Sequence, residues 1–403
     1  MTKNDDKRIP ALRFKGFNDD WAQRKLGDYI TVNKIKNKEN NHFIPYSISN
    51  KWGFIPQEKQ FGEGNTYSKT NKATNYIVEP NTFAYNPARI NVGSIAYQNN
   101  QFPVIVSSLY EIFKAKKNLN DEFLMNWFKT EKFTRQIQKL QEGGVRQYFF
   151  IDKMQESRIT IPFISEQEEI SKTLNQISNL IKLQQRKEKL LKQIQQAIYY
   201  NIYPEYGTKI PIIRHREFNK DWSIVSFNKL YKKSKEKNDL TYGEDKIISV
   251  AKMYFKHESQ NSSKDYLKTY NVFKKGDIAF EGNRSEGFSH GRFVQNNIGD
   301  GIVSHVFDVF TPLNKENLNY WKYAIHNEHI MKYVLVKSTT KATMMNNLST
   351  KDFLKQKIAV PNSCEMKKIS HLLKGLDDQL EFSKRKIKIL TKVKQFLLQN
   401  MFI

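Results

Sequence analysis

A single cysteine, Cys364, stands in 403 residues. One thiol excludes an internal disulfide and any zinc site built on cysteines, and it fits a reducing, cytoplasmic setting. No apolar run approaches the roughly 18 residues of a membrane span. The charged opening at residues 1–6 lacks the apolar core of a signal peptide. Acid is also scarce. The 66 Lys and Arg outnumber the 41 Asp and Glu, leaving a net charge of +25. A surplus of this size points to a polyanion. It is spread along the chain and forms no tail, which favours a folded basic surface over a disordered arm.

Signatures of DNA chemistry are missing too. No Gly-rich loop leads into Lys-Ser or Lys-Thr, so there is no P-loop. Asn86-Pro87-Ala88-Arg89 begins like an amino-methyltransferase loop, but it lacks the second proline and the aromatic that stacks on a flipped base. It reads as a turn. Phe61-Gly62-Glu63-Gly64 does not make an S-adenosylmethionine loop. Glu365-Met366-Lys367 fits half of a nuclease motif, yet it lies at a helix start. His326 and His329, three apart on an expected helix, could hold a metal, but no further ligand clusters with them. No catalytic residue, cofactor or metal is expected.

What the chain does have, it has twice. Residues 9–22 and 210–223 share seven of fourteen identities, among them Arg13/Arg214, Phe17/Phe218 and Trp21/Trp222, at an offset of 210 − 9 = 201. Further echoes follow: 81–85 with 276–280, 106–113 with 303–310, and 159–162 with 358–361. Their offsets drift through 195, 197 and 199, which places the insertions and deletions inside each half. The period is far longer than a solenoid repeat of roughly 20–50 residues. It is a duplicated domain with pseudo-two-fold character, suited to a two-part target.

Each half ends in a long helix. In residues 165–203, Ile170, Leu174, Ile177, Ile181, Leu191 and Ile198 keep an alternating 4,3 spacing. Leu180, Leu183, Leu190 and Ile194 are expected to widen that seam. Ser165 to Glu168 supplies a capping box, and Pro204 stops the helix. Residues 364–402 repeat the pattern with Ile369, Leu373, Leu376, Leu380, Ile387, Leu390 and Leu397. Polar residues interrupt both seams at matching places, Gln184 with Ser383 and Gln195 with Lys394. The expectation is a coiled coil. Only residues 203–209 separate the first helix from the second half, so a returning partner must run antiparallel.

Within each half, β-like runs at 74–78, 94–97, 104–107, 247–251 and 302–306 sit among Gly and Asn turns, and 121–139 and 318–336 look helical. The fold class is α+β: two similar globular domains separated by two long antiparallel coiled-coil helices. The expected boundaries are 1–155 for the first domain, 156–204 for the first helix, 205–352 for the second domain and 353–403 for the second helix.

What remains is recognition chemistry. Arg89, Asn91, Gln98, Asn99 and Gln101 lie on loops of the first half, with Lys51 and Lys69 as weaker backbone contacts. In the second half, Asn283, Arg284, Ser285, His290 and Arg292 lie on Gly-rich loops, and His257 and Gln260 form another polar cluster. Arg can pair bidentately with guanine, and Asn or Gln with adenine. For any one of these residues an ordinary polar surface loop serves equally well.

With these residues in view, the sequence resembles the DNA specificity subunit of Type I restriction-modification systems across nearly its whole length. The resemblance rests on Arg13-Phe14 to Trp21 and its copy at Arg214–Trp222. It rests also on Ile161-Pro162 leading to Glu166-Gln167 with its copy at Val360-Pro361 and Glu365, and on residues 85–94. Two departures stand out: Glu281-Gly282-Asn283 replaces Asn86-Pro87-Ala88, and Met366 replaces the Gln of position 167. The resemblance implies two target recognition domains, each reading half of a split double-stranded DNA site in the major groove. It implies helices that space the domains and dock two methyltransferase subunits, and restriction subunits that join that core. S-adenosylmethionine and ATP would then belong to the partners. Two other readings stay open: a self-contained methyltransferase or nuclease with unrecognised motifs, and a DNA-binding coiled-coil scaffold without sequence preference.

Overall fold

The computed structural model describes residues 9–39, 41–62, 72–144, 147–256, 263–285, 287–341 and 345–403. Two long helices dominate it, α1 (Ile164–Asn201) and α2 (Ser363–Asn400). The chain divides into two compact units, and the division runs through both helices: one unit holds residues 1–185 and 385–403, the other 186–384.

The first unit is built on a four-stranded antiparallel sheet ordered Ile30–Val32, Glu111–Ala115, Thr82–Tyr85, Ile95–Gln98. A three-stranded sheet and the hairpin Tyr46–Ser49 with Gly53–Pro56 pack beside it. Aromatic residues fill the core. Phe83 stacks on Phe113 at 5.1 Å, and Phe128, Trp127, Phe133 and Phe149 continue the cluster. The expected helix at 121–139 is two helices, Asp121–Trp127 and Glu131–Leu140. Thr130 breaks them because its hydroxyl caps the second by accepting from the Phe133 N–H.

The second unit repeats the sheet in the same order: Tyr231–Lys233, Asp308–Pro312, Ile278–Glu281, Arg292–Gln295. Ala84 pairs with Ile112, and Ala279 with Val309. These are the pairs that the sequence echoes at 195 and 197 align. The helical stretch 318–336 is again split, into Leu318–Ala324 and Glu328–Val336, with Asn327 as cap. The β-run expected at 302–306 ends at Val303 (strand Gly301–Val303), because residues 304–307 turn.

The duplicated opening motif has a physical cause. Arg13 donates from Nε and Nη2 to the two oxygens of Glu166 at 2.7 and 2.8 Å, and from Nη2 to the Asp19 carbonyl. Arg214 does the same to Glu365, at 2.7 and 2.9 Å, and to the Lys220 carbonyl. Each clamp pins the start of its half to the first turn of a long helix, where a carboxylate also suits the helix dipole. Trp222 donates to Glu365 at 3.1 Å, whereas the buried Trp21 indole finds no partner among the described residues. The Gln-to-Met departure is real chemistry as well. The Gln167 amide ties down Asn118, Asn120 and Pro162, while Met366 joins the apolar core.

Inside each unit the helix segments run antiparallel. In the first, Met401 and Phe402 share a core with Ile170 and Leu174. In the second, Ile202 shares one with Ile369 and Leu373, and Gln195 donates to Asp377 at 2.6 Å. Ile177, Ile181, Leu191, Ile198, Leu376, Ile387, Leu390 and Leu397 are half-buried along the seam, and Leu380 is buried. The widening stripe is corrected: Leu180, Leu183, Leu190 and Ile194 are exposed, as are Phe382, Ile389, Val393 and Phe396 on α2. A helix pair covers one stripe of each member and leaves a second apolar stripe bare.

Candidate nucleic-acid interface

In the first unit, the loop between strands Thr82–Tyr85 and Ile95–Gln98 is held from both ends and from below. Asn86 N–H donates to the Ser94 carbonyl, Ala88 N–H to the Asn86 side chain, and Phe149 N–H to the Pro87 carbonyl. Ile90 is buried as an anchor. Gly93, at φ +84°, closes the turn in the left-handed region. Arg89 and Asn91, on either side of Ile90, are left exposed.

The hairpin tip at 49–53 joins this loop. Ser94 Oγ donates to the Ile48 carbonyl at 2.9 Å, and a Cβ placed on Gly93 would lie 3.8 Å from that of Asn50. Lys51 and Trp52 share the tip, with the Lys51 ammonium 5.0 Å from the indole centroid. The tip that carries Lys51 and Trp52 is therefore tied to the loop that carries Arg89 and Asn91.

The amide-rich tip does not join them. It lies at the other end of strand Ile95–Gln98, roughly 13 Å along at about 3.3 Å per residue. Gln98 itself is a correction. It is buried, and its amide donates to the Phe102 carbonyl and accepts from the Asn100 N–H, so it fixes a turn. Asn99 and Gln101 are exposed. Lys69, His257 and Gln260 lie outside the described residues.

In the second unit the equivalent loop spans 282–291. Asn283, Arg284 and Ser285 are exposed and His290 is half-buried. Arg292 is corrected as a base reader. It stands opposite Glu281 in the strand register and donates to it at 2.6 Å, with its guanidinium over the Phe288 ring. That cross-strand pair stiffens the base of the loop. Sequence reasoning missed the loop's other support, Asn346. Its N–H donates to the Gly282 carbonyl at 2.8 Å and its side chain to the Ser289 carbonyl. A Cβ on Gly282 would sit 2.2 Å from the Asn346 carbonyl oxygen, so only glycine fits there. No spacing signal links position 346 to 282.

The rejected catalytic readings find physical explanations. Glu365 is occupied by Arg214. His326 lies before the helix Glu328–Val336, with its ring against the Phe293 carbonyl and Phe288; burial pushes it below the usual histidine range. His329 turns to Tyr200 instead. The Glu328 carboxyl beside them is pushed up to about 6 by burial. Among the described residues, no group of three His, Cys, Asp or Glu side chains is placed to hold a metal, and no helix is long and apolar enough to cross a membrane.

Known proteins set this geometry in context. The family model of the Type I restriction modification DNA specificity domain matches twice, over residues 18–193 and 205–392. No curated protein matches the chain. Among solved structures, it is similar to the HsdS subunit from Thermoanaerobacter tengcongensis, with a TM-score of 0.52 and 15% identity over 95% of this chain and 96% of that one. The type I restriction-modification S subunit from M. genitalium gives 0.57 and 14%, over 98% and 99%. A further match, at 0.54 and 13% over 95% and 97%, comes from a structure of type I restriction-modification complex assembly and conformational transition. These likenesses carry the fold, while the two matched copies of the domain carry the family: the chain belongs to the Type I restriction-modification DNA specificity family.

Proposed function

We propose that the two units read the two halves of one split double-stranded DNA site and bring methyltransferase subunits, and through them restriction subunits, to it. The chain supplies recognition and its partners supply the chemistry, in the cytoplasm. One observation carries this reading. The same loop of the same four-stranded sheet is presented in both units, braced in both but with different exposed residues: Arg89 and Asn91 in one, Asn283, Arg284 and Ser285 in the other. A shared frame with unlike tips suits two unlike half-sites. The bare stripe on each long helix supports docking of helical partners, since apolar patches of that kind mark interaction surfaces. The net charge of +25 supports a phosphate-dominated affinity that falls steeply with salt.

Methylome mapping of cells carrying this chain with its methyltransferase subunit tests the proposal. Adenine methylation at one bipartite sequence is the expected result, with none from the chain alone. Turnover of S-adenosylmethionine by the purified chain would overturn it in favour of a self-contained enzyme. Methylation without sequence preference would favour the scaffold.

A further inference from the structure

Of the five tryptophans, four are buried: Trp21, Trp127 and Trp222 at 1–2% exposure and Trp321 at 6%; Trp52 alone is 68% exposed. A side chain of this size is normally put to use in a core or an interface. The tip that carries it is ordered by its own chemistry. The N–H groups of Lys51 and Trp52 both point at Ser49 Oγ, at 3.2 and 3.3 Å, and Gly53 completes the turn at φ +67°. Lys51 covers one side of the indole with its ammonium. The tip is tied to the Arg89 loop through Ser94 and Ile48.

We infer that Trp52 is a specificity-determining residue that reads a thymine in the half-site of the first unit. The inference rests on the function proposed above. In the major groove the apolar group that a base pair presents is the thymine 5-methyl, so an apolar reader set among polar ones selects thymine. Lys51, next to it, is placed to follow with a phosphate contact. The second unit lacks this reader. Ile248-Ser249 aligns with Ile48-Ser49 at an offset of 200, but Ser249 pairs with Tyr254 where Ser49 pairs with Gly53, so the second tip is one residue longer, 250–253, and holds no tryptophan. The two half-sites are therefore read by unlike means, with an indole on the first tip and none on the second.

The test has two arms. In the chain alone, iodide quenching of tryptophan emission reports on Trp52, because the other four indoles are buried. A duplex carrying the mapped site should protect that emission, and an unrelated duplex should protect it less. In the complete methyltransferase complex, each thymine of the first half-site is replaced in turn by uracil, which deletes only the methyl. One replacement should weaken binding about fourfold, the effect of one buried methyl. In Trp52→Ala that replacement should have no further effect, and Trp52→Phe should restore part of it. The second half-site should respond alike in all three proteins. Equal losses at every thymine in wild type and Trp52→Ala, or unchanged quenching on the specific duplex, would overturn the inference. A wild-type complex that cannot tell its site from unrelated DNA would instead overturn the proposed function.

Discussion

The ring of Phe402 lies 5.0 Å from that of Phe123. The residues that follow α2 thereby complete the core of the first unit. Leu12 confirms the closure by donating its N–H to the Asn400 carbonyl at 2.9 Å. Phe402→Ala should cost roughly 3–5 kcal/mol. Hydrogen exchange should show the loss at Phe123 and Leu124 and leave Phe353, in the core of the second unit, protected.

The Arg214–Glu365 clamp is nearly buried, with side chains 11% and 3% exposed. Glu365→Gln leaves a guanidinium without its counter-charge and should destabilise by roughly 3–5 kcal/mol. Arg214→Met combined with Glu365→Leu should recover much of that loss. Denaturant titration of the three variants checks it, and a double variant no better than the single would count against the clamp as an ion pair.

Arg89→Ala and Arg284→Ala should each relax one half-site and leave the other alone. The discrimination lost is about 1–3 kcal/mol if each arginine pairs bidentately with a guanine. Methylome mapping of each variant reads the outcome directly. Uniform weakening at all sequences would reassign the residue to phosphate.

Asp277 provides a pH signature. Burial pushes its carboxyl up to about 6 from 3.8, although it accepts a hydrogen bond from the Lys274 N–H. The neutral acid is thus the form the folded state favours. Stability from this group is full below the unfolded value, falls as pH rises towards 6, and above 6 the buried charge is a net cost of about 3 kcal/mol. Asp277→Asn should melt higher than wild type at pH 8, and the gap should close as pH is lowered towards 4. A gap that widens on acidification would contradict the assignment.

The bare stripes invite a test of assembly. Leu183 and Phe382 are 60% and 62% exposed. Leu183→Glu or Phe382→Glu should leave the circular dichroism and melting of the chain unchanged. Each should weaken association with the methyltransferase subunit roughly thirtyfold, as for a hot spot of about 2 kcal/mol. Co-elution at matched concentrations measures it.

The duplication, the long helices and their seam were legible because periodicity and repetition are properties of sequence alone. Ile170 and Leu174 sit in the core where their spacing put them. Arg13 and Glu166 were each visible as a motif, but their pairing across 153 residues was not. Gln98 and Arg292 misled for a common reason. A polar side chain in a loop looks the same whether it faces solvent or satisfies the loop itself, and only the neighbouring carbonyl or carboxylate decides. Leu180, Leu183, Leu190 and Ile194 misled differently: an apolar stripe announces burial without saying whether the same chain provides the cover.

The division of the helices also sets a timetable. The second unit is one continuous stretch, residues 186–384, whereas the first needs residues 385–403 to be whole. On a ribosome, the half made first must wait for residues 385–403. The intervening 403 − 185 = 218 residues take roughly 10–40 s at about 5–20 residues per second. During that interval Ile170 and Leu174 lack the cover that Met401 and Phe402 later provide, while the later half can already be finished. Birth order and completion order run opposite ways, and the nascent first half is where a chaperone has the most apolar surface to hold.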